Sequence, residues 1–345
     1  MKYARISNLV NFLNLILYNI LGGYMKELIG NTPMIKINYK YKDKIRSVFA
    51  KLEYYNLTGS IKDRLAYFII NNAKEEGTLK DKQCIVEATS GNTGISLAAV
   101  GSFYMHPVHI FMPEWASIER RKLMEAYGAK VHLISRRDGG FRKCVSEAED
   151  YAKRIDGFYV SQFTNVDNIK VHYKTTASEI MDQMKNLSID GFVSGVGSGG
   201  TIMGVGKRLK EKYNHVFINA IEPENMPIMS SGKILSSHKI EGIGDDFMPE
   251  IVDKDLFTDI TLINDEDAIN MSRLLSRELG LGVGISSGAN LIGSILLEDR
   301  IDGNVVTIFA DDNKKYLSTD LLKSVDDNPD FISNQIELID YGVII

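Results

Sequence analysis

The chain has 345 residues, of which 44% are hydrophobic and 25% are charged, as in ordinary globular proteins long enough for two domains. Its net charge of −5 comes without a basic stripe that could offset nucleic-acid phosphates, so we expect no nucleic-acid partner. Cys84 and Cys144 form no CxxC pair, and the six histidines show no metal-binding spacing. The sequence therefore predicts neither a disulfide scaffold nor a metal site.

Residues 1–24 form a predicted N-terminal extension. The stretch Asn8–Leu21 is apolar, but its asparagines and its length make it a poor membrane span. No clean cleavage site follows the cationic start, so a signal peptide is disfavoured. We predict an additional amphipathic helix or an over-long start, no membrane attachment and a cytoplasmic protein.

Short apolar runs alternate with helical patterns along the rest of the chain. Strands are predicted at Val48–Tyr54, Gln83–Ala88, Val108–Met112, Lys130–Ile134, Phe158–Val160, Gly191–Val196, Val216–Ile221, Phe257–Ile263 and Val305–Ala310. Helices are predicted at Thr93–Tyr104, Ser117–Tyr127, Phe141–Arg154, Val171–Lys185, Thr201–Tyr213, Asp265–Leu279 and Ser287–Leu297. Such alternation indicates an α/β fold with mostly parallel sheets, and the nearly continuous apolar strands indicate helices on both faces.

Three turns at the ends of predicted elements carry groups suited to one cofactor. Lys62 follows a strand and a Gly59-Ser60-Ile61 turn, and its amine could form a Schiff base with an aldehyde. The loop Thr89–Gly94 offers hydroxyls and an amide, and the loop Gly195–Thr201 offers backbone N–H groups at a helix start, which suit a phosphate. Together they predict pyridoxal 5′-phosphate as the cofactor.

The second glycine loop also fits a different class of protein. Gly195, Gly197 and Gly200 spell the G-x-G-x-x-G pattern of dinucleotide-binding proteins, and Glu222 follows at the distance of a ribose-binding acid. An NAD-dependent dehydrogenase is therefore an alternative. It accounts for neither the Lys62 turn nor the Thr89–Gly94 loop, and we rank it below the pyridoxal-phosphate enzyme.

Nine stretches in one order resemble the cysteine synthase and cystathionine β-synthase family of pyridoxal-phosphate enzymes, which are of fold type II and similar to the tryptophan synthase β chain. They extend from about residue 25 to about residue 323, and they are Leu28–Pro33, Asn56–Arg64, Thr89–Gly94, Pro113–Leu123, Gln162–Asn165, Gly195–Thr201, Gly242–Gly244, Ile285–Ala289 and Tyr316–Thr319. The resemblance implies two open, twisted sheets with the cofactor in the cleft between two domains. It places residues 25–58 and 162–324 in a larger domain, residues 59–161 in a smaller mobile one and residues 325–345 in a C-terminal tail, in a homodimer.

The resemblance also implies a role for each matching residue. Lys62 would carry the Schiff base and move the Cα proton. The substrate carboxylate would be held by the loop and by a glutamine, and Gly244 would line the substrate side; these residues are Thr89, Ser90, Gly91, Thr93, Gln162 and Gly244. Asn92 would bond the 3′ oxygen of the cofactor. The cofactor phosphate would be held by Gly197, Ser198, Gly199, Gly200 and Thr201.

Aspartates at two places depart from the family pattern. Asp245 and Asp246 stand where the family has small residues, and a carboxylate there could activate water, although a solvated loop is the simpler interpretation. Asp312 falls where the family has a serine or threonine that bonds the pyridine nitrogen, and a carboxylate would favour a protonated ring. A register difference of one residue, with Asp312 in solvent, is the alternative.

The implied reaction is β-replacement or β-elimination on a cysteine- or serine-type amino acid through an aminoacrylate intermediate. Sulfide would be released from cysteine with serine formed by water addition, which we favour, or incorporated as in O-acetylserine sulfhydrylase, that is, cysteine synthase proper. A non-catalytic binding partner with this fold is the other alternative, and the intact Lys62 argues against it. We also predict that the tail, which ends in Ile345, could place an isoleucine carboxylate in an active site, although a frayed terminus is the default.

Overall fold

The computed structural model describes residues 24–323 and 328–344, so the predicted extension lies almost wholly outside the described residues. Its strands are β1 (Met34–Tyr41), β2 (Lys44–Leu52), β3 (Ile85–Ala88), β4 (Val108–Pro113), β5 (Lys130–Ile134), β6 (Phe158–Tyr159), β7 (Gly191–Gly195), β8 (Phe217–Pro223), β9 (Asp259–Ile263), β10 (Val305–Phe309) and β11 (Ile336–Ile344). Its α-helices are α1 (Lys62–Glu75), α2 (Asn92–Phe103), α3 (Ile118–Ala126), α4 (Gly140–Arg154), α5 (Asp167–Val171), α6 (Ala177–Gln183), α7 (Gly200–Lys212), α8 (Ile228–Ser231), α9 (Asp265–Glu278) and α10 (Ile285–Ile301). A π-helical turn, His172–Thr176, joins α5 to α6, and short 3₁₀ turns lie at Glu53–Tyr55, Lys254–Leu256, Asn313–Tyr316, Asp320–Leu322 and Ile332–Gln335.

The strands form two sheets, as the resemblance implied. The larger has seven strands in the order β11-β1-β2-β10-β7-β8-β9, and the smaller has four in the order β5-β4-β3-β6. All pairs of the smaller sheet are parallel, as are the pairs from β2 to β9 in the larger one. The prediction of an α/β fold with mostly parallel sheets is confirmed.

Helices cover both faces of each sheet because the strands are apolar on both sides. On the larger sheet, one apolar cluster includes Leu275 of α9 and Ile292 of α10, and the opposite cluster includes Ile202 of α7. On the smaller sheet, Leu65 of α1 packs on one face and Phe141 of α4 on the other. These layers leave the loops at the strand ends as the place for polar function.

The C-terminal tail forms an edge strand of the larger sheet. Strand β11 pairs antiparallel with β1, from Met34 opposite Ile344 to Tyr41 opposite Ile336. This corrects the expectation of a frayed tail, and it places residues 336–344 in the sheet rather than in an active site. Ile345 lies outside the described residues. The tail pairs there because β1, without a partner on its outer side, would leave a row of unpaired backbone N–H and C=O groups.

Some element boundaries differ from the predictions. Strand β2 ends at Leu52, and the predicted strand residues Glu53 and Tyr54 belong to a 3₁₀ turn. Strands β1 and β11 were not predicted. No helix among the described residues is long and apolar enough to cross a membrane.

Candidate active site

One cavity lies where the loops that follow β3, β6 and β7 meet, and it gathers most of the predicted site residues. Its volume is about 860 Å³ including its open mouth. The predicted residues in its wall are Lys62, Thr89, Ser90, Gly91, Asn92, Thr93, Gln162, Gly197, Ser198, Gly199, Gly200, Thr201 and Asp245. The carboxyl ends of parallel strands point the same way, which is why loops so distant in sequence converge here.

Lys62 is the first residue of α1, at a turn bonded to the end of β10. The Ile61 N–H donates to the Ala310 carbonyl at 2.9 Å. Gly59 has a φ of +80°, and a Cβ there would lie 2.7 Å from a carboxylate oxygen of Asp312, so glycine is required. Burial lowers the pKa of Lys62, against the opposing charges of Asp311 and Asp245. A lowered pKa increases the fraction of neutral amine, as a nucleophilic lysine needs.

The loop after β3 is tied to Gln162. The Thr93 hydroxyl donates to Gln162 Oε1 at 2.7 Å, and Gln162 Nε2 donates to the Ala88 carbonyl at 2.9 Å. Within the loop, the Gly91 N–H donates to Thr89 Oγ1 at 3.0 Å. The structure thus brings together the hydroxyls and the amide that were predicted to hold a carboxylate.

Glu87, which the sequence analysis did not single out, holds the backbone beside this loop through hydrogen bonds. Its carboxyl group is fully buried and accepts the N–H of Gln162 at 3.0 Å and that of Ala88 at 2.7 Å. Burial raises the pKa of Glu87 to about 8, although the two N–H bonds oppose the shift. The available signal was a glutamate inside an apolar strand, since an acid in such a strand is almost never fully buried unless it has a partner.

The glycine loop after β7 leads into α7 and has no room for side chains at its glycines. Gly199 precedes the helix with a φ of +89°. A Cβ on Gly197 would lie 2.4 Å from the Gly242 carbonyl oxygen, and one on Gly200 would lie 1.9 Å from Asn168 Oδ1. The first N–H groups of a helix have no partner within it, and the helix dipole favours an anion there. The loop therefore suits a phosphate.

Asp245 and Asp246 point to different places. Asp245 lies in the wall of the cavity, and burial, followed by the charge of Asp246, raises its pKa to about 7 despite the opposing charge of Lys62. Both aspartates and Gly244 line an adjoining space of about 1270 Å³, and Asp246 forms an ion pair with Arg142 at 3.6 Å. Of the two, only Asp245 shares the cavity with Lys62.

The structure buries Asp311 more deeply than Asp312, the residue that the resemblance assigned to the ring nitrogen. Asp312 caps the 3₁₀ turn that follows it, where its Oδ1 accepts the Lys314 N–H at 3.1 Å. Asp311 is fully buried, and its Oδ2 accepts from Asn92 Nδ2 at 2.7 Å and from the Tyr316 hydroxyl at 2.5 Å. The sequence could not resolve two adjacent aspartates, because the register at the end of β10 decides which one turns inward.

Glu222, the acid that a dinucleotide-binding protein would use for the ribose, bonds to backbone groups of this chain instead. Glu222 is buried and accepts the N–H groups of Met229 at 2.8 Å and Ser230 at 3.0 Å, at the start of α8. It is absent from the described wall of the cavity. No group of three or more His, Cys, Asp or Glu side chains among residues 24–323 and 328–344 could hold a metal ion.

Residues 25–311 match the family model described as pyridoxal-phosphate dependent enzyme, and the chain belongs to this family. Cysteine synthase B of Campylobacter jejuni is 42% identical over 299 residues, which cover 86% of this chain and 97% of that protein. Cysteine synthase of Staphylococcus aureus is 39% identical over 297 residues, or 86% and 95% of the two chains.

A solved structure is also similar. It is a hydrogen sulfide-producing enzyme from Fusobacterium nucleatum, with a TM-score of 0.90, 46% identity, and coverage of 93% of this chain and 98% of that one. An aspartate-to-asparagine variant of a hydrogen sulfide-producing enzyme, solved with an α-aminoacrylate intermediate, has the same TM-score of 0.90 and the same 46% identity.

The residues present fit pyridoxal 5′-phosphate, the cofactor of this family. Two buried oxygens in or beside the cavity, Asn92 Oδ1 and Asp311 Oδ1, have no hydrogen-bond partner among the described residues. Buried polar atoms without partners are costly unless a ligand completes them. The glycine loop closed to side chains and the lysine of lowered pKa supply the other two contacts that the cofactor needs.

Proposed function

We propose that this enzyme removes or replaces the β-substituent of a cysteine- or serine-type amino acid, and that it releases sulfide from cysteine and forms serine. The observation that carries the proposal is the presence of Lys62, the Thr89–Gly94 loop, the glycine loop and Asp245 in one cavity. The names of the cysteine synthase relatives and of the hydrogen sulfide-producing neighbour support the same class of chemistry.

Each part of the cavity has a proposed role. Lys62 would bind the cofactor aldehyde and later move the proton at Cα, and its lowered pKa favours the neutral amine that both tasks need. The glycine loop would hold the phosphate, Asn92 the 3′ oxygen and Asp311, instead of Asp312, the ring nitrogen. When bound, pyridoxal phosphate supplies the electron sink that makes loss of the Cα proton and of the β-substituent possible.

The choice between water and sulfide as the entering group depends on Asp245. A carboxylate with a pKa of about 7 can accept a proton from water at neutral pH, which a small residue cannot do. Its negative charge also disfavours the hydrosulfide anion more than neutral water. Both effects favour breakdown of cysteine over its synthesis.

Net cysteine synthesis is the second candidate, and the names of the curated relatives favour it. The two candidates are separated by offering cysteine, O-acetylserine, O-phosphoserine and serine singly to the holoenzyme. Sulfide and serine are then measured, and cysteine is measured when sulfide is added to the other three. Catalytic formation of sulfide and serine from cysteine supports the proposal. Cysteine formed from O-acetylserine and sulfide, with no turnover of cysteine itself, would replace it with the second candidate.

Three further features remain predictions that rest on the resemblance: the homodimer, the domain boundaries and the cytoplasmic location. Light scattering at several protein concentrations measures the mass of the assembly. A monomeric mass at every concentration would contradict the homodimer.

A further inference from the structure

Arg120 is the buried cation of α3 whose role nothing above explains. Its side chain is 1% exposed. Its Nη1 donates to the Glu241 carboxylate and to the Ser90 carbonyl oxygen at 3.4 Å, and the guanidinium lies over the Tyr316 ring at 4.4 Å. Burial lowers the pKa of Arg120, but Tyr316, Glu241 and Asp311 outweigh that effect and hold the pKa above its ordinary value. The side chain therefore keeps its charge inside the protein.

One edge of this guanidinium is unfilled. Its Nε and Nη2 atoms are buried and have no hydrogen-bond partner among the described residues. These two nitrogens present parallel N–H groups on the same edge, which is the fork that grips a carboxylate with two bonds. Arg120 and Gly91, the residue against which this edge lies, are both in the wall of the active-site cavity. A buried charged donor pair without an acceptor is costly, which indicates that a ligand completes it.

The unfilled edge lies against the loop that is expected to hold the substrate carboxylate. A Cβ on Gly91 would lie 2.4 Å from Arg120 Cδ and 2.8 Å from Arg120 Nε. The absence of a side chain at Gly91 is therefore what lets the guanidinium approach the loop. Gly91 has an extended φ of 175°, so the need for glycine here is one of space rather than of backbone conformation.

The side chains of the loop supply no positive charge, although the N-terminus of α2, which begins at Asn92, also favours an anion there. Its donors are neutral hydroxyl, amide and N–H groups, and the Thr93 hydroxyl is already bonded to Gln162. Among the described residues of the cavity wall, the lysine and arginine side chains are Lys62 and Arg120. Lys62 is assigned to the cofactor, which leaves Arg120 to offset the charge of a carboxylate that loses water on entering the cavity.

We propose that the Nε–Nη2 edge of Arg120 recognises the α-carboxylate of the amino-acid substrate together with the Thr89–Thr93 loop, while Glu241 holds the opposite corner of the guanidinium in place. This inference rests on the proposed function, because it assumes that the ligand is an amino acid. It is independent of which β-substituent leaves and of whether water or sulfide enters.

A purely structural ion pair is the competing explanation, and it predicts a different pattern of variants. If the Arg120–Glu241 pair only holds α3 to the neighbouring loop, removing either partner should weaken ligand binding alike. If Arg120 recognises the carboxylate, Arg120→Gln should weaken binding. Glu241→Gln keeps an oxygen that can accept from Arg120 Nη1 and removes a negative charge beside the guanidinium, so it should leave binding unchanged or strengthen it.

The test measures dissociation constants of L-alanine and of L-alaninamide for the holoenzyme, from the change in its absorbance on titration. Neither ligand has a β-substituent that can leave. L-alanine has the α-carboxylate, and L-alaninamide has a neutral amide in its place. For Arg120→Gln we expect alanine to bind about 10- to 100-fold more weakly, the effect of losing a charge-assisted pair of hydrogen bonds, and alaninamide to change little. Arg120→Lys, which keeps the charge and loses the fork, should fall between. Thermal melting of each variant checks that it is folded.

The proposal is overturned if Arg120→Gln weakens alanine and alaninamide equally, or if Glu241→Gln weakens alanine as much as Arg120→Gln does. It is also overturned if alanine affinity is unchanged in both Arg120 variants. A wild-type enzyme that binds alanine but yields no sulfide from cysteine would refute the proposed reaction and leave this result standing.

Discussion

Replacing Asp245 with asparagine tests the proposed water activation most directly. The carboxamide has nearly the same shape but cannot accept a proton, and general-base catalysis is typically worth about 10²–10⁴-fold. We therefore expect Asp245→Asn to lower the rate of serine formation from cysteine by about that factor. Sulfide release should stop after a single turnover, because the elimination half of the reaction does not need this base.

The pKa of Asp245 predicts two pH dependences. Burial raises this pKa to about 7, so in the parent enzyme serine formation should rise with pH and level off above 7. Stability should change in the opposite direction. The unfolded chain loses this proton near the ordinary value of 3.8 and the folded chain near 7, so stability falls as the pH rises between these values.

The size of the stability effect follows from the same values. At 1.36 kcal/mol per pH unit, a pKa raised from 3.8 to about 7 corresponds to at most about 4 kcal/mol. Because Asp245 is partly exposed, screening reduces this, and we expect about 1–2 kcal/mol. Asp245→Asn should therefore melt at a temperature about 1–3 °C higher than the parent at pH 8, with the difference disappearing towards pH 4.

The assay measures serine by amino-acid analysis and sulfide by a colorimetric method, in single-turnover and steady-state experiments. Asp246→Asn is the matched control, because this neighbouring carboxylate pairs with Arg142 and lies outside the described wall of the cavity. Above pH 7, where Asp245 is ionised with or without the neighbouring charge of Asp246, this variant should keep the parental ratio of serine to sulfide. Serine formation at the parental rate in Asp245→Asn would refute the base assignment, whatever the control shows.

Three other variants follow from the structure. Lys62→Ala should remove turnover and the visible absorbance of the lysine-bound cofactor while leaving the far-UV circular dichroism unchanged; normal turnover would end the assignment of Lys62. Asp311→Ser should slow exchange of the Cα proton for deuterium, measured by NMR with alanine, whereas Asp312→Ser should not; the opposite pattern would restore the original assignment to Asp312. Deleting residues 336–345 should lower the melting temperature because it uncovers the edge of β1, and an unchanged melting temperature would show that the edge strand contributes nothing.

Much of the cavity was predictable from short motifs because local conformation governs it. Lys62, the Thr89–Gly94 loop and the glycine loop each lie at a strand-to-helix turn, and their glycines and hydroxyls mark such turns in any sequence. The eight-residue strand β1 and the nine-residue strand β11 were harder to predict: β1 alternates apolar and polar residues, but its partner β11 lies about 300 positions away. Pairing over such a distance leaves no local signal.

The periodicity of the sequence determined the class of fold, and nine ordered motifs that resemble one family determined the cofactor and pointed to Lys62 as the lysine that would bind it. The tertiary structure decided which of two adjacent aspartates faces inward, which carboxylate shares the cavity with Lys62, and where Arg120 lies. Asp311 turns inward because of the register of β10, and Asp245 enters the cavity because its loop packs beside the glycine loop. Arg120 reaches the carboxylate loop because Gly91, 29 positions earlier, leaves space for it. The direction in which a side chain points, its burial and its pKa depend on contacts between segments that are distant in sequence, so they cannot be read from a local sequence pattern.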